Sequence, residues 1–215
     1  MIALRLGLTV IVATASNKRL SAPERRSSLI NAAKALFADK GFHGVSIDEI
    51  VTAVGVSPAI LYRHFKSKDE LYAAVLQDFS CQRESYVDTI INSDADFEAV
   101  LRGITRVFID SIVCQPDLLK IELYSILEGH EAHREFFLNR WKTFTDYIEY
   151  SLNELQSKGR LPKIDSKASA LMYQGMLREV LLLKCLQQSE HLKDYSLQEL
   201  LDKMISQFIK SLELN

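Results

Sequence analysis

Glycine and proline are scarce in this sequence, and its N-terminal apolar run is short. The 215 residues include eight glycines and four prolines, which argues against a fold of many short strands and tight turns and favours long helices. The apolar run from Leu6 to Ala15 is too short to cross a bilayer. We therefore expect no membrane association.

Cysteines are also few. Cys81, Cys114 and Cys185 are odd in number, far apart and without a CxxC pair, so they form no disulfide framework. This pattern favours a reducing compartment and a cytoplasmic location, with each thiol packing as a small apolar group.

Charge is unevenly distributed along a chain of ordinary globular composition. The sequence is 47% hydrophobic and 25% charged, with a formal net charge of −2. Residues 1–79 contain ten Lys or Arg against seven Asp or Glu, whereas residues 80–215 contain sixteen against twenty-one. This asymmetry suits a small anion-binding head on an acidic body.

Helix start and stop signals predict a head of three helices that a long fourth helix joins to the helical body. The first helix is predicted from about Pro23 to Lys40, because apolar residues recur there at helical spacing. The other boundary signals are capping boxes at Ser46/Glu49 and Ser67/Glu70, a Ser57-Pro58 helix start, and glycine stops at Gly41 and Gly55. The third helix is left with about seven residues, which is too short to be stable alone.

That third helix carries a cationic and aromatic segment, GVSPAILYRHFKSK, without an acid. Leu61 and Phe65 are its predicted inward anchors, so the remaining positions face out in helix-turn-helix fashion. Ser57, Pro58 and Ala59 are small enough for close approach to a DNA groove. The predicted polar contacts to the DNA backbone come from Ser46, Tyr62, His64, Lys66 and Lys68. The alternative is that these charges form a solvated face.

The stretch SIDEIVTAVGVSPAILYRHFKSKDELYAAV resembles the signature of the TetR (tetracycline-repressor-like) family of bacterial transcription regulators. The strong match covers about residues 24–80, with Val54 and Ala59 as mild departures from the family pattern. The resemblance implies phosphate contacts from Ser46, Tyr62, His64 and Lys68. It also implies base or groove contacts near Ser57, Pro58, Ala59, Ile60 and Arg63.

Residues 1–22 are predicted to be an N-terminal extension outside the folded domains. Arg5, the apolar run and Ala13-Thr14-Ala15 loosely imitate a secretory signal. Export would separate the protein from the DNA that the head is predicted to bind, so we favour an extension.

The rest of the sequence predicts helices only, and hence an all-α fold with a DNA-binding domain at 23–80 and a helical body at 81–215. The expected body helices are roughly Phe97–Cys114, Pro116–Glu128, Glu131–Lys158, Ser166–Gln188 and Leu197–Leu212. The last two have apolar stripes wider than one helix needs for its core, and the resemblance implies that they dimerise. The predicted interface residues are Met172, Gly175, Leu182, Leu201, Met204 and Phe208.

Aromatic residues recur in the middle helices. Such stripes are more often core than pocket, but the resemblance implies an enclosed small-molecule effector. The predicted lining is Phe108, Tyr124, Phe137, Trp141 and Tyr173, with Arg102, Arg106, Glu122 and Arg178 as groups that could orient a polar ligand.

The segment EGHEAHRE lacks the His spacing of zinc-protease helices and the paired Glu-x-x-His of di-iron bundles. A solvated helix start explains it better. We therefore predict no metal and no cofactor.

The sequence predicts a dimeric, ligand-responsive regulator, a repressor that binds a palindromic double-stranded DNA operator. Two alternatives remain open. One is an enzyme in the helical body, although no phosphate loop, nucleophile elbow or metal set is found. The other is a protein-interaction module, or a small-molecule-binding helical protein, that does not bind DNA.

Overall fold

Nine α-helices make up the described part of the protein, a computed structural model that covers residues 20–80, 96–129 and 131–212. The helices are α1 (Ala22–Lys40), α2 (Ile47–Val54), α3 (Pro58–His64), α4 (Lys68–Ser80), α5 (Phe97–Val113), α6 (Asp117–Glu128), α7 (Glu131–Ser157), α8 (Ser166–Leu181) and α9 (Leu197–Ser211). Within these ranges no residue is in a strand, and the all-α prediction is confirmed. Nearly all of the predicted N-terminal extension, and Cys81, lie outside the described residues.

Helices α1 to α4 form the head around one apolar core. The side chains that fill it are almost fully buried: Leu29, Ala33, Phe37, Ile50, Leu61, Phe65, Leu71 and Val75. The predicted boundaries are confirmed to within a residue. Helix α1 begins at Ala22 because Ser21 and Glu24 form a capping box just before it.

An aromatic cluster joins the head to the body. The Tyr72 ring of α4 contacts Phe37 of α1 at 4.9 Å between ring centroids, and His133 of α7 stacks on Tyr72 at 3.8 Å. Burial raises the pKa of the Tyr72 hydroxyl well above its usual range. The head core therefore continues directly into α7, without a solvated gap.

Helices α5 to α9 form the body, and its boundaries follow the predicted ones except at the end of α8. That helix was expected to reach Gln188, but regular α-helix ends at Leu181 and a π-helical turn covers Leu182–Leu186. The Lys184 ammonium donates to the carbonyls of Leu192 and Tyr195 at 2.8 and 2.5 Å. These contacts hold the α8–α9 loop against the widened turn.

None of the helices in the described ranges is both long and apolar enough to cross a membrane.

Candidate nucleic-acid interface

Two buried side chains hold α3 on the head. Leu61 is 0% exposed and Phe65 is 1% exposed, and the Phe65 N–H closes the helix by donating to the Leu61 carbonyl at 2.9 Å. The Arg26 guanidinium of α1 lies over the Phe65 ring, 4.9 Å from its centroid. A helix of seven residues is thus stabilised by its neighbours, as the sequence predicted.

The opposite face of α3 is open to solvent. Tyr62 is 53% exposed, and the other exposed residues of the predicted set near α3 are Ser57, Pro58, Ala59, Arg63 and Lys66, while Ile60 and His64 are half-buried. Ser57 is at the N-cap position, as predicted, but its hydroxyl makes no capping hydrogen bond. The structure therefore gathers small, aromatic and cationic side chains on one accessible helix.

The other predicted contact groups near this surface are already engaged within the head. Ser46 forms its predicted capping box with Glu49, whose carboxylate also accepts from Lys40 at 2.6 Å. Hydrogen bonds from Lys40 and Ser46 lower the pKa of Glu49 to about 2. The start of α2 thus already carries a carboxylate, which reduces its attraction for a phosphate.

Lys68 has a structural role that the sequence did not reveal. Its ammonium donates to the carbonyls of Phe42 and Val45 at 2.9 Å each, and it lies 4.3 Å from the centroid of the Phe42 ring. Two of its three N–H donors are therefore used to bind the loop between α1 and α2. Its phosphate contact stays a prediction.

Sequence reasoning missed Arg26, which the fold places beside α3 through its contact with Phe65. The sequence signal was the adjacent pair Arg25-Arg26 near the start of α1. The helix dipole disfavours cations at this end of a helix, so two arginines here suggest an external anion.

Four of the five predicted pocket residues are buried in the body. Phe108, Phe137, Trp141 and Tyr173 are 0–5% exposed, and the Phe108 and Trp141 rings are 4.7 Å apart. Tyr124 lies elsewhere, at the junction with the head, where its hydroxyl donates to the Asp39 carbonyl at 2.9 Å.

An ion pair between buried Glu122 and half-buried Arg178 lies beside Trp141. Glu122 is 4% exposed; its carboxylate is 2.9 Å from the Arg178 guanidinium and accepts from the Trp141 indole N–H at 3.0 Å. Burial raises the pKa of Glu122, although Arg178 and Trp141 act in the opposite direction. Of the predicted polar groups, Glu122 and Arg178 are thus brought together.

Arg102 and Arg106 line a separate cleft of about 270 Å³ between α5 and α9. Arg102 contacts Glu98 and Asp202 at 2.7 and 2.9 Å. Thr105, Ile109 and Gln198 are also in its lining, but the predicted aromatic set is not.

The predicted dimer residues divide into two groups. Met172 is 66% exposed and Gly175 is also exposed, while Leu182 and Met204 are half-buried. Leu201 and Phe208 are 3% and 4% exposed within one chain, and Phe208 packs on Tyr173 at 4.8 Å, so their part in a dimer interface stays a prediction. Their side chains fill the body core and leave little surface for a partner.

No group of three or more His, Cys, Asp or Glu residues placed to hold a metal occurs among the described residues. In the EGHEAHRE segment, His133 is instead buried against Tyr72 and Phe42.

Comparison with known sequences identifies relatives of this chain. A family model described as bacterial regulatory proteins, tetR family, matches residues 29–75. The transcriptional activator FasR of Mycolicibacterium smegmatis is 42% identical over 94 residues, which span 44% of this chain and 43% of FasR. The transcriptional regulator UidR of Escherichia coli K12 is 27% identical over 154 residues, or 67% of this chain and 73% of UidR. The likeness to FasR thus spans less than half of that protein.

Solved structures share the fold over most of the chain. A TetR-like transcriptional regulator from Rhodococcus sp. RHA1 has a TM-score of 0.72 and 18% identity, covering 92% of this chain and all of that one. The structure of AibR in complex with isovaleryl coenzyme A and operator DNA has a TM-score of 0.64 and 22% identity, covering 86% of this chain and 97% of that one. At these identities the likeness shows a common architecture.

Proposed function

Because this chain belongs to the TetR family of bacterial regulatory proteins, we propose that it is a ligand-responsive transcriptional repressor and not an enzyme. It acts in the cytoplasm as a homodimer on a palindromic double-stranded DNA operator. A small-molecule effector, bound in the helical body, releases it from the DNA.

The contrast between the two faces of α3 is the observation that carries this proposal. Leu61 is fully buried while Tyr62, the next residue, is 53% exposed. Exposed Pro58 and Ala59 let the helix approach the floor of the major groove, where the Arg63 guanidinium can read a guanine edge. The outer face of α3 carries no large aliphatic side chain that would need a protein partner to cover it. Its small, aromatic and cationic residues are instead suited to contact DNA.

Phosphate contacts hold the helix in register. Tyr62, His64 and Lys66 flank the groove-facing residues, and Arg26 adds a cation from α1. Such groups position a protein on DNA without reading its sequence. We assign Lys68 a smaller share, since two of its donors bind the α1–α2 loop.

Dimerisation through α8 and α9 would bring together two copies of α3, the recognition helix, one from each chain. Leu171 and Met172 are 53% and 66% exposed on α8, close to exposed Gly175, which permits close approach. A two-fold dimer sets its recognition helices about 34–36 Å apart, one turn of DNA. Analytical ultracentrifugation should show a dimer that Met172→Glu converts to monomer.

Release by an effector requires that the effector bind one dimer state better than the other. Buried Glu122 and half-buried Arg178, which pair beside Trp141, offer polar groups for this purpose. Isovaleryl coenzyme A, the ligand named for AibR, is a concrete first probe in a thermal-shift assay. A shift without consumption of the compound would support a binder, whereas turnover would favour an enzyme.

The decisive experiment is DNA binding by matched variants. Specific sites are selected from genomic DNA that includes the upstream region of the gene, and affinity is measured by fluorescence anisotropy. Tyr62→Ala and Arg63→Ala should weaken specific binding, whereas Tyr150→Ala, which changes a tyrosine that is 67% exposed on α7, should not. Binding should also fall steeply with salt because phosphate contacts release counterions. Failure to recover any specific site would favour a protein-interaction module.

A further inference from the structure

A single carboxylate at the end of α6 holds the loop that follows α1. Glu128 accepts hydrogen bonds from two successive backbone N–H groups, that of Phe42 at 3.0 Å and that of His43 at 3.1 Å. One turn earlier, the Tyr124 hydroxyl donates to the carbonyl of Asp39 at 2.9 Å. Three hydrogen bonds thus attach the end of α1 to the body. Two of them are to a carboxylate and are strong because the acceptor is charged.

Gly41 makes this close approach possible. Its φ of +74° is one that other residues rarely adopt. A Cβ atom built at Gly41 would lie 2.3 Å from Glu128 Oε1 and 2.7 Å from Tyr124 Cδ1. This head–body joint, formed by Gly41, Tyr124 and Glu128, therefore depends on a residue without a side chain, because any Cβ atom at position 41 would overlap its neighbours.

The same loop is held from the head side. Lys68, at the start of α4, donates to the carbonyls of Phe42 and Val45, while Glu128 takes the N–H groups of Phe42 and His43. The loop is therefore bound by an acid from the body and a base from the head. Lys68 lies just after α3, so hydrogen bonds to three peptide units of this loop connect α6 with the end of α3.

We propose that Glu128 is a positioning residue for DNA binding. Its carboxylate sets the orientation of the head on the body, and in the dimer this fixes the separation of the two recognition helices. The inference rests on the proposed function, but Glu128 itself contacts no DNA. Loss of its charge should leave the recognition surface of each head intact while removing the preference for one spacing of half-sites.

The test uses full-length Glu128→Gln, which keeps the size of the side chain. The matched control is Glu135→Gln, the same charge change at an exposed site on α7. Affinities are measured for the selected operator, for versions with one or two base pairs added or removed at the centre, and for an isolated half-site. Tyr124→Phe, which removes one uncharged hydrogen bond, provides a second variant with a smaller expected effect.

Wild type and Glu135→Gln should discriminate against the altered spacings. In Glu128→Gln this discrimination should fall by about tenfold, the scale of one charge-assisted hydrogen bond, with half-site affinity unchanged. Amide hydrogen exchange should accelerate at Phe42 and His43 while that of Ile50 stays slow, because the head remains folded.

Three outcomes would overturn the inference. Unaltered spacing discrimination in Glu128→Gln would show that the carboxylate does not position the head. Equal loss of affinity on every DNA, including the half-site, would show a purely structural role. If wild type bound no specific DNA, the proposed function would fail and the positioning role with it, a result distinct from a defect seen only in the variant.

Discussion

Leu61 and Tyr62 are neighbours in α3 whose side chains face opposite ways, so alanine at each position should separate folding from recognition. Leu61 is 0% exposed and Tyr62 is 53% exposed. We expect Leu61→Ala to destabilise the protein and Tyr62→Ala to weaken DNA binding at unchanged stability.

The magnitudes follow from burial. Removing a fully buried leucine costs about 2–5 kcal/mol, because the lost transfer free energy is joined by the cost of a cavity. For a chain of this length, about 3 kcal/mol lowers the melting temperature by roughly 6–12 °C. Truncating the exposed Tyr62 side chain should change stability by less than about 0.5 kcal/mol. Its lost contact with DNA should cost about 1–3 kcal/mol of binding free energy.

Urea unfolding followed by circular dichroism gives the stability of each variant at one fixed protein concentration, because a dimer's stability depends on concentration. Anisotropy with the selected operator gives the affinity well below the melting temperature. Two results would refute the reasoning: a Tyr62→Ala variant destabilised as much as Leu61→Ala, or one that binds the operator like wild type. Either would mean that α3 does not present this face to DNA.

Three further predictions concern charge and backbone geometry. The pKa of Glu49, about 2 against an ordinary 4.5, implies a contribution to stability that is complete above pH 4.5 and is lost as the pH falls through about 2; Glu49→Gln should remove this part of the acid-unfolding curve. Arg178→Met should cost about 1–3 kcal/mol at pH 7 because it leaves the Glu122 carboxylate buried without its guanidinium, and the cost should shrink in acid; an equal cost at all pH values would contradict this. Gly41→Ala should lose about 1–3 kcal/mol in urea unfolding, since its φ is positive and its Cβ would overlap Glu128; a neutral result would show that the joint can relax.

Features encoded by neighbouring residues were predictable from the sequence. The Ser46/Glu49 capping box, the glycine stop at Gly55 and the anchor pair Leu61 and Phe65 each depend on residues within one or two turns, and all are present in the structure. Local spacing determines such features because hydrogen bonds at helix ends and i, i+4 contacts need no distant partner.

Features that depend on distant residues were missed. Lys68 bonds to carbonyls 26 and 23 residues away, and Glu128 bonds to amides 86 and 85 residues away. No local pattern indicates such partners. The burial of Leu201 and Phe208 within their own chain was not predictable for a related reason: a wide apolar stripe does not indicate which of its residues pack within the same chain.

The short length of α3 predicts which mutations should make regulation temperature-sensitive. Since seven residues cannot keep a helical shape unaided, the proposed DNA-binding surface exists only while the core beneath it is folded. Substitutions that mildly loosen that core should yield temperature-sensitive alleles, with regulation normal in the cold and lost on warming. Such alleles should map to inward positions of α1, α2 and α4 that never approach a nucleotide.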